Sequence, residues 1–223
     1  MRKVEKMGTL IVIDGLDGSG KNTQSKLLFE RLQKEGKRVY LVSFPDYDSP
    51  ACAPVKMYLG GEFGTDPEAV GSYAASTFFA VDRFASFRLN WKKEYDEGAI
   101  IIANRYTTAN AIHQLTKLDE TEHDAFLEWL YDFEFKKLGL PAPDLTLLLK
   151  VPVEKSLELI DVRGEKKDIH ENREHLKKAA LAAEKCASSW GWESLLCVNE
   201  EGELLSREEI AEKVYRIVCD KVL

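Results

Sequence analysis

Cysteine is scarce in this 223-residue chain: Cys52, Cys186, Cys197 and Cys219 are the full set, and no two share CxxC spacing. That scatter argues against both a zinc site and a disulfide framework, and it fits a reducing, cytoplasmic setting. Long apolar runs are missing too, and no segment reaches the length of a membrane span, so no membrane partner is expected. The opening "MRKVEKMGTL" carries charge without an apolar stretch behind it, which predicts a short arm over residues 1–8 rather than a signal peptide. Positive charge is in deficit. Lys and Arg number 31 against 38 Asp and Glu, and the formal charge of −7 argues against a surface that tracks nucleic acid or anionic lipid. Any phosphate chemistry must therefore rely on cations concentrated locally. Repeats, low-complexity tracts and a domain-scale linker are all absent, so a single domain spanning 1–223 is expected, long enough to bury a substantial core.

What is present alternates. "TLIVID" (9–14), "RVYLVS" (38–43), "AIIIAN" (99–104), "DLTLLLKV" (144–151) and "LLCV" (195–198) read as strands. Helical patterns separate them: 21 to about 35 with Gly36 as stop, about 67–96, two stretches between 105 and 139, and two between 152 and about 187. A last helix opens at Ser206 with Glu209 three residues on, a capping-box pattern. The alternation predicts an α/β fold: a P-loop NTPase-type, doubly wound, five-stranded parallel sheet flanked by helices.

The P-loop expectation rests on "IDGLDGSGKNTQ" (13–24), which follows the first strand and opens the first helix. Glycines let successive backbone N–H groups surround an anion, and the helix N-terminus adds partial positive charge. Gly15, Leu16, Asp17, Gly18, Ser19, Gly20, Lys21, Asn22 and Thr23 are thus the candidate cradle for a nucleotide's phosphates, with Lys21 reaching the β- and γ-phosphates. Asn22 stands where Ser or Thr usually coordinates Mg²⁺. Its carboxamide offers a hard oxygen, directly or across a water, whereas Thr23 lies about 100° further round the helix.

A phosphate loop alone does not choose between GTPases, motors and kinases, although the guanine motif N-K-x-D is absent. In "FFAVDRF" (78–84), Phe79 and Arg83 stand four apart on one helix face: either a base-stacking ring beside a hydrogen-bond donor, or a core ring beside a surface charge. Taken together and in order, "IDGLDGSGKNTQ", "SFPDY", "FFAVDRF", "NRYTTANAIHQ" and "PDLTLLLKVPVEKSLELI" resemble the thymidylate kinase family over essentially the whole chain. The resemblance implies phosphoryl transfer from ATP to dTMP with Mg²⁺, in a cytoplasmic homodimer. Asp17 matches the acidic residue near the metal and the sugar 3′-hydroxyl, so Asp17 and Asn22 are the metal candidates. Phe44 and Pro45 match the border of the monophosphate pocket and Tyr47 its neighbour at the sugar. Phe79 matches the ring that stacks on thymine, Arg83 the donor to base O4, and Arg105 the guanidinium that grips the substrate phosphate. Asn110 falls where an amide reads the N3 edge, and His113 where a ring stands beside the 2′-carbon. Lys21, Arg105 and Asp17 are the implied catalytic groups.

The resemblance also implies a lid at about 162–172, "VRGEKKDIHENR", offering Arg163, Lys166 and Lys167, with Ile169 where arginine is common. Departures from the family pattern are specific. Asn104 replaces an aspartate, Ala109 a serine, Asp46 stands where arginine is frequent, and a tyrosine is replaced within "AALAAEK". Apolar residues around Phe87 and Trp91 match a dimer face. Two other kinases stay open: a deoxynucleoside kinase with Asp46 as base, and a monophosphate kinase for another base. A catalytically lapsed nucleotide-binding regulator is the third alternative.

Overall fold

The computed structural model describes residues 7–64, 66, 69–163 and 173–223, the side chains of 162 and 163 excepted. The lid residues Lys166, Lys167 and Ile169, the Arg163 side chain and most of the 1–8 arm lie outside the described residues.

Five strands, β1 (Thr9–Gly15), β2 (Val39–Ser43), β3 (Ile100–Asn104), β4 (Leu145–Lys150) and β5 (Glu193–Leu196), form one sheet in the order β2-β3-β1-β4-β5. Every neighbouring pair is parallel. The strands are near-continuous apolar runs because helices cover both faces, yet the period of two still sorts their side chains. Ile11 and Ile13 of β1 pack with Leu28 and Leu32 of α1 (Lys21–Lys34) and with Val214 and Val218 of α9 (Arg207–Val222). Leu10 and Val12 turn the other way, towards Trp91, Tyr95 and Tyr106. α9 begins as its sequence announces: Ser206 Oγ accepts from the Glu209 amide at 3.2 Å and Glu209 Oε2 accepts from the Ser206 amide at 2.8 Å.

The remaining helices are α2 (Ala53–Leu59), α3 (Ser72–Ser86), α4 (Lys92–Asp96), α5 (Thr107–Leu115), α6 (His123–Tyr131), α7 (Val153–Arg163) and α8 (Arg173–Trp190). α2 went unread in the sequence because a proline-bounded stretch looks like loop. β5 starts two residues before its expected position, since pairing with β4 from Leu147↔Glu193 to Lys150↔Leu196 sets its ends.

One expectation is overturned in the helix read as running from 67 to 96. It is broken by a π-helical turn at Phe87–Trp91 between α3 and α4. Phe87, Trp91 and Tyr95 all face inward, with the Phe87 and Trp91 ring centroids 4.6 Å apart, while Arg88, Leu89 and Asn90 are exposed. Phe87 and Trp91 are therefore core residues beneath β1 and β3, while Leu89 between them stays exposed. We predict that Trp91→Ala lowers unfolding free energy by about 3–5 kcal/mol. Urea unfolding should show the same loss at every protein concentration. A loss that vanishes on dilution would mark Trp91 as an interface residue after all.

Candidate active site

The strand order puts the carboxyl ends of β2, β3 and β1 side by side, and ligands of open parallel sheets bind at such ends. Between β1 and α1 the chain turns through the phosphate loop. Bulk is forbidden there: a Cβ on Gly15 would lie 2.7 Å from the Leu149 carbonyl oxygen. On Gly18, at φ +79°, it would lie 2.4 Å from the Ser156 carbonyl oxygen. Lys21, first residue of α1, folds back over the loop, donating from Nζ to the Leu16 carbonyl at 3.0 Å and to Asp17 Oδ1 at 3.3 Å.

Arg105 follows β3 directly. Its φ of +64° is a conformation that non-glycine residues avoid, and its amide donates to the Ile13 carbonyl at 3.1 Å. Strain of this kind survives where the surroundings impose it, and it clusters at functional positions. The guanidinium donates from Nη2 to Asp17 Oδ1, the oxygen that Lys21 also contacts. Its Nη1 lies 3.1 Å from His113 Nε2. Arginine can only donate, so His113 Nε2 accepts and its proton sits on Nδ1. That Nδ1 faces His175 Nε2 at 3.1 Å, and the two imidazole planes are within 3° of parallel. Guanidinium, His113 and His175 thus form one directed chain of hydrogen bonds.

Burial alone would raise the Asp17 carboxyl. Arg105 and Lys21 beside it, with His113 further off, reverse that and hold it well below the ordinary carboxylate range. Burial lowers the Lys21 ammonium, and the charge of Arg105 adds to the effect; Asp17 and Asp14 oppose it. Two cations thus converge on one carboxylate, with Asp14 a further anion near Lys21, in a chain whose net charge is −7.

A second cluster lies along α3 and α5. Phe79 is half-buried and stands edge-on to Tyr58, centroids 6.1 Å apart. Arg83, only 1% exposed, pairs with Glu134: Nε donates to Oε2 at 2.7 Å and Nη2 to Oε1 at 2.5 Å. Thr107 Oγ1 donates to Glu134 Oε2 at 2.7 Å, and Asn110 Nδ2 to Oε1 at 3.2 Å. The surface-charge alternative for Arg83 is therefore wrong, as is the core alternative for Phe79.

Both clusters open into one cavity of about 980 Å³. It is lined by Asp17, Gly18, Ser19, Gly20, Lys21, Asn22 and Thr23, and by Phe44, Pro45, Tyr47, Phe79, Arg83, Arg105, Asn110 and His113. Gly15 and Leu16 are not among the lining residues; they shape the loop from behind. Asp46 does not line it either; its amide donates to Asp82 Oδ2 at 2.9 Å. The cavity also reaches Gln24, Leu204, Leu205, Ser206, Arg207 and Ile210, none of which was a site candidate in the sequence, where Ser206 was read only as a helix cap. Glu134 and His175 were missed as well. Neither the two acids of "YDFEF" nor "NREHL" held a local signal that singles out Glu134 or His175.

Sheet order, a phosphate loop after the first strand and a cavity at the strand ends fit a P-loop nucleotide kinase. A sequence profile of thymidylate kinase matches residues 13–205. A thymidylate kinase of Mycobacterium tuberculosis is 32% identical over 192 residues, covering 82% of this chain and 87% of its own. A probable thymidylate kinase of Pyrococcus horikoshii is 33% identical over 158 residues, 70% and 72% of the two chains. In fold, the chain is similar to a solved thymidylate kinase from Candida albicans at a TM-score of 0.72, with 22% identity over 96% of this chain and 92% of that one. The chain belongs to the thymidylate kinase family.

The His113–His175 contact carries a pH consequence. Burial lowers the His175 pKa from the ordinary 6.5; Asp17 pulls it up, while Lys117 and Lys178 push it further down. A lowered folded-state value means that the fold favours the neutral ring. This contribution to stability is complete above 6.5 and is lost as pH falls below that value. His175→Gln keeps an acceptor for His113 but cannot charge, so its thermal midpoint should fall less than that of the wild type between about pH 7 and pH 5. Parallel pH dependences for the two proteins would contradict a neutral, buried His175.

Proposed function

We propose that the chain transfers the γ-phosphoryl group of ATP to dTMP, giving ADP and dTDP. The observation that carries this reading is the convergence of Lys21 and Arg105 on one carboxylate, from the ends of adjacent strands, beside a base-sized site built of Phe79, Arg83 and Asn110. ATP phosphates occupy the loop, with the adenosine end directed towards Leu204–Arg207. The dTMP phosphate takes Arg105, and thymine lies against Phe79. Glu134 leaves Arg83 Nη1 to donate to O4. The Asn110 amide nitrogen is committed to Glu134 and to the Ser76 carbonyl, at 3.1 Å from the latter, so Oδ1 is the atom left to accept N3–H. His113 stands beside the sugar, where its ring disfavours a ribose 2′-hydroxyl.

The attacking oxygen of a monophosphate is already ionised, so the protein has no proton to remove. Its work is alignment and charge neutralisation. Lys21 and Arg105 leave Asp17 for the incoming phosphates and bring donor and acceptor into line. Mg²⁺ fits the oxygens here: Asp17 and the Asn22 carboxamide would hold it, and Asn104 and Ser19, whose buried Oδ1 and Oγ find no hydrogen-bond partner among the described residues, line the same cavity. When bound, Mg²⁺ supplies further neutralisation of phosphate charge.

A deoxynucleoside acceptor would need a base for its 5′-hydroxyl, and Asp46 lies outside the cavity lining. Among the described residues no helix is long and apolar enough to cross a membrane. The four free cysteines support a reducing, cytoplasmic location. Family resemblance further suggests a homodimer, for which the exposed Val81, Phe84 and Leu89 are better candidates than the buried Phe87 and Trp91.

A coupled assay of ADP release should show strong activity with dTMP, weak activity with dCMP and dGMP, and none with thymidine. Arg105→Ala should lower kcat/KM for dTMP by about 10²-fold or more, the scale of losing one preorganised donor to a phosphoryl group. Turnover of thymidine at a rate matching dTMP, or an Arg105→Ala enzyme as active as the parent, would refute the reading.

A further inference from the structure

We propose that Glu134, which does not line the cavity, is a specificity-determining positioning residue that sets the hydrogen-bonding polarity of the base site. The inference rests on the dTMP reading above. Glu134 lies within a π-helical turn, Asp132–Lys137, that follows α6, and it is 0% exposed. Such turns aim one side chain out of helical register and recur at functional sites. Its carboxylate accepts four hydrogen bonds, two on each oxygen: Arg83 Nη2 and Asn110 Nδ2 on Oε1, Arg83 Nε and Thr107 Oγ1 on Oε2.

A carboxylate can only accept, so everything around it must turn its donors inward. Asn110 is thereby locked with its nitrogen on Glu134 and on the Ser76 carbonyl, and its oxygen becomes the acceptor at the cavity. Arg83 is locked with Nε and Nη2 inward, and Nη1 becomes the donor. One donor beside one acceptor complements a pyrimidine with a 4-carbonyl and an N3–H. The same pair opposes cytosine, whose 4-amino group donates and whose N3 accepts. Arg83 donates whichever nitrogen it presents but could swing away from the base, and the Asn110 amide, otherwise held by the Ser76 carbonyl alone, could turn over. The carboxylate between them removes both freedoms.

Glu134→Gln tests this directly. Both oxygens accept from Arg83, so a glutamine in either orientation sets an amide N–H against an Arg83 N–H. Rates with dTMP and dCMP give the selectivity ratio in kcat/KM, and circular dichroism checks the fold. The expected result is a fall in the dTMP-over-dCMP ratio of about tenfold or more, arising in KM for dTMP, with KM for ATP unchanged. A ratio within about twofold of the parent's would overturn the inference. Should Glu134→Gln not fold, Thr107→Val removes one of the four donors without touching Arg83 or Asn110. Its ratio should drop about threefold, and an unchanged ratio is again contrary. A parent enzyme inactive on dTMP would bring down the functional reading and the inference together. An active parent with unaltered selectivity in the variants would bring down the inference alone.

Discussion

A single carboxylate oxygen, Asp17 Oδ1, holds the site together. It takes a hydrogen bond from Lys21 on the first turn after β1 and another from Arg105 on the first turn after β3. Two like charges a few ångströms apart near a protein surface repel by about 4 kcal/mol, so neither cation would rest beside the other without an anion between them. Asp17 supplies that anion. On the proposed reading, phosphates of the two substrates replace it one by one, and each cation finds a partner at every stage. Arg105 adopts its strained backbone because its amide is tied to β1 at Ile13 and its side chain to Asp17 and His113, which together fix it over the crevice.

Away from the phosphates the same logic is written in neutral and charged hydrogen bonds. Glu134 arranges Arg83, Thr107 and Asn110 as Asp17 arranges Lys21 and Arg105: a buried acceptor-only group forces the orientation of several donors at once. Phe79, the proposed stacking surface, is braced edge-on by Tyr58. Beneath both clusters the sheet provides the rigid frame. Ile11 and Ile13 anchor β1 on one face, and Leu10 and Val12 on the other, so the loop and Arg105 hang from strands that cannot shift independently.

Much of this was legible in the sequence where a short run of residues carries its own physics. The phosphate loop announced itself through glycine spacing, the α9 cap through Ser206 and Glu209, and the five strands through apolar runs. Phe79, Arg83, Arg105, Asn110 and His113 were each identified, and the structure gathers them in one cavity. What escaped were partnerships across long sequence separations. Glu134 meets Arg83 across 51 residues, and His175 meets His113 across 62; no local pattern encodes either contact. The π-turn at Phe87–Trp91 escaped for a different reason. Helical periodicity does not reveal a one-residue reset, so the stretch from 67 to 96 read as one helix.

The central claim is that the two cations change partners, from Asp17 to the substrate phosphates, within one crevice. Crystallising the protein with dTMP and a non-hydrolysable ATP analogue measures this most directly. The account predicts Arg105 on the dTMP phosphate, Lys21 on the ATP-analogue phosphates, and thymine against Phe79. A complex in which Arg105 stays on Asp17 while the dTMP phosphate binds elsewhere would contradict it.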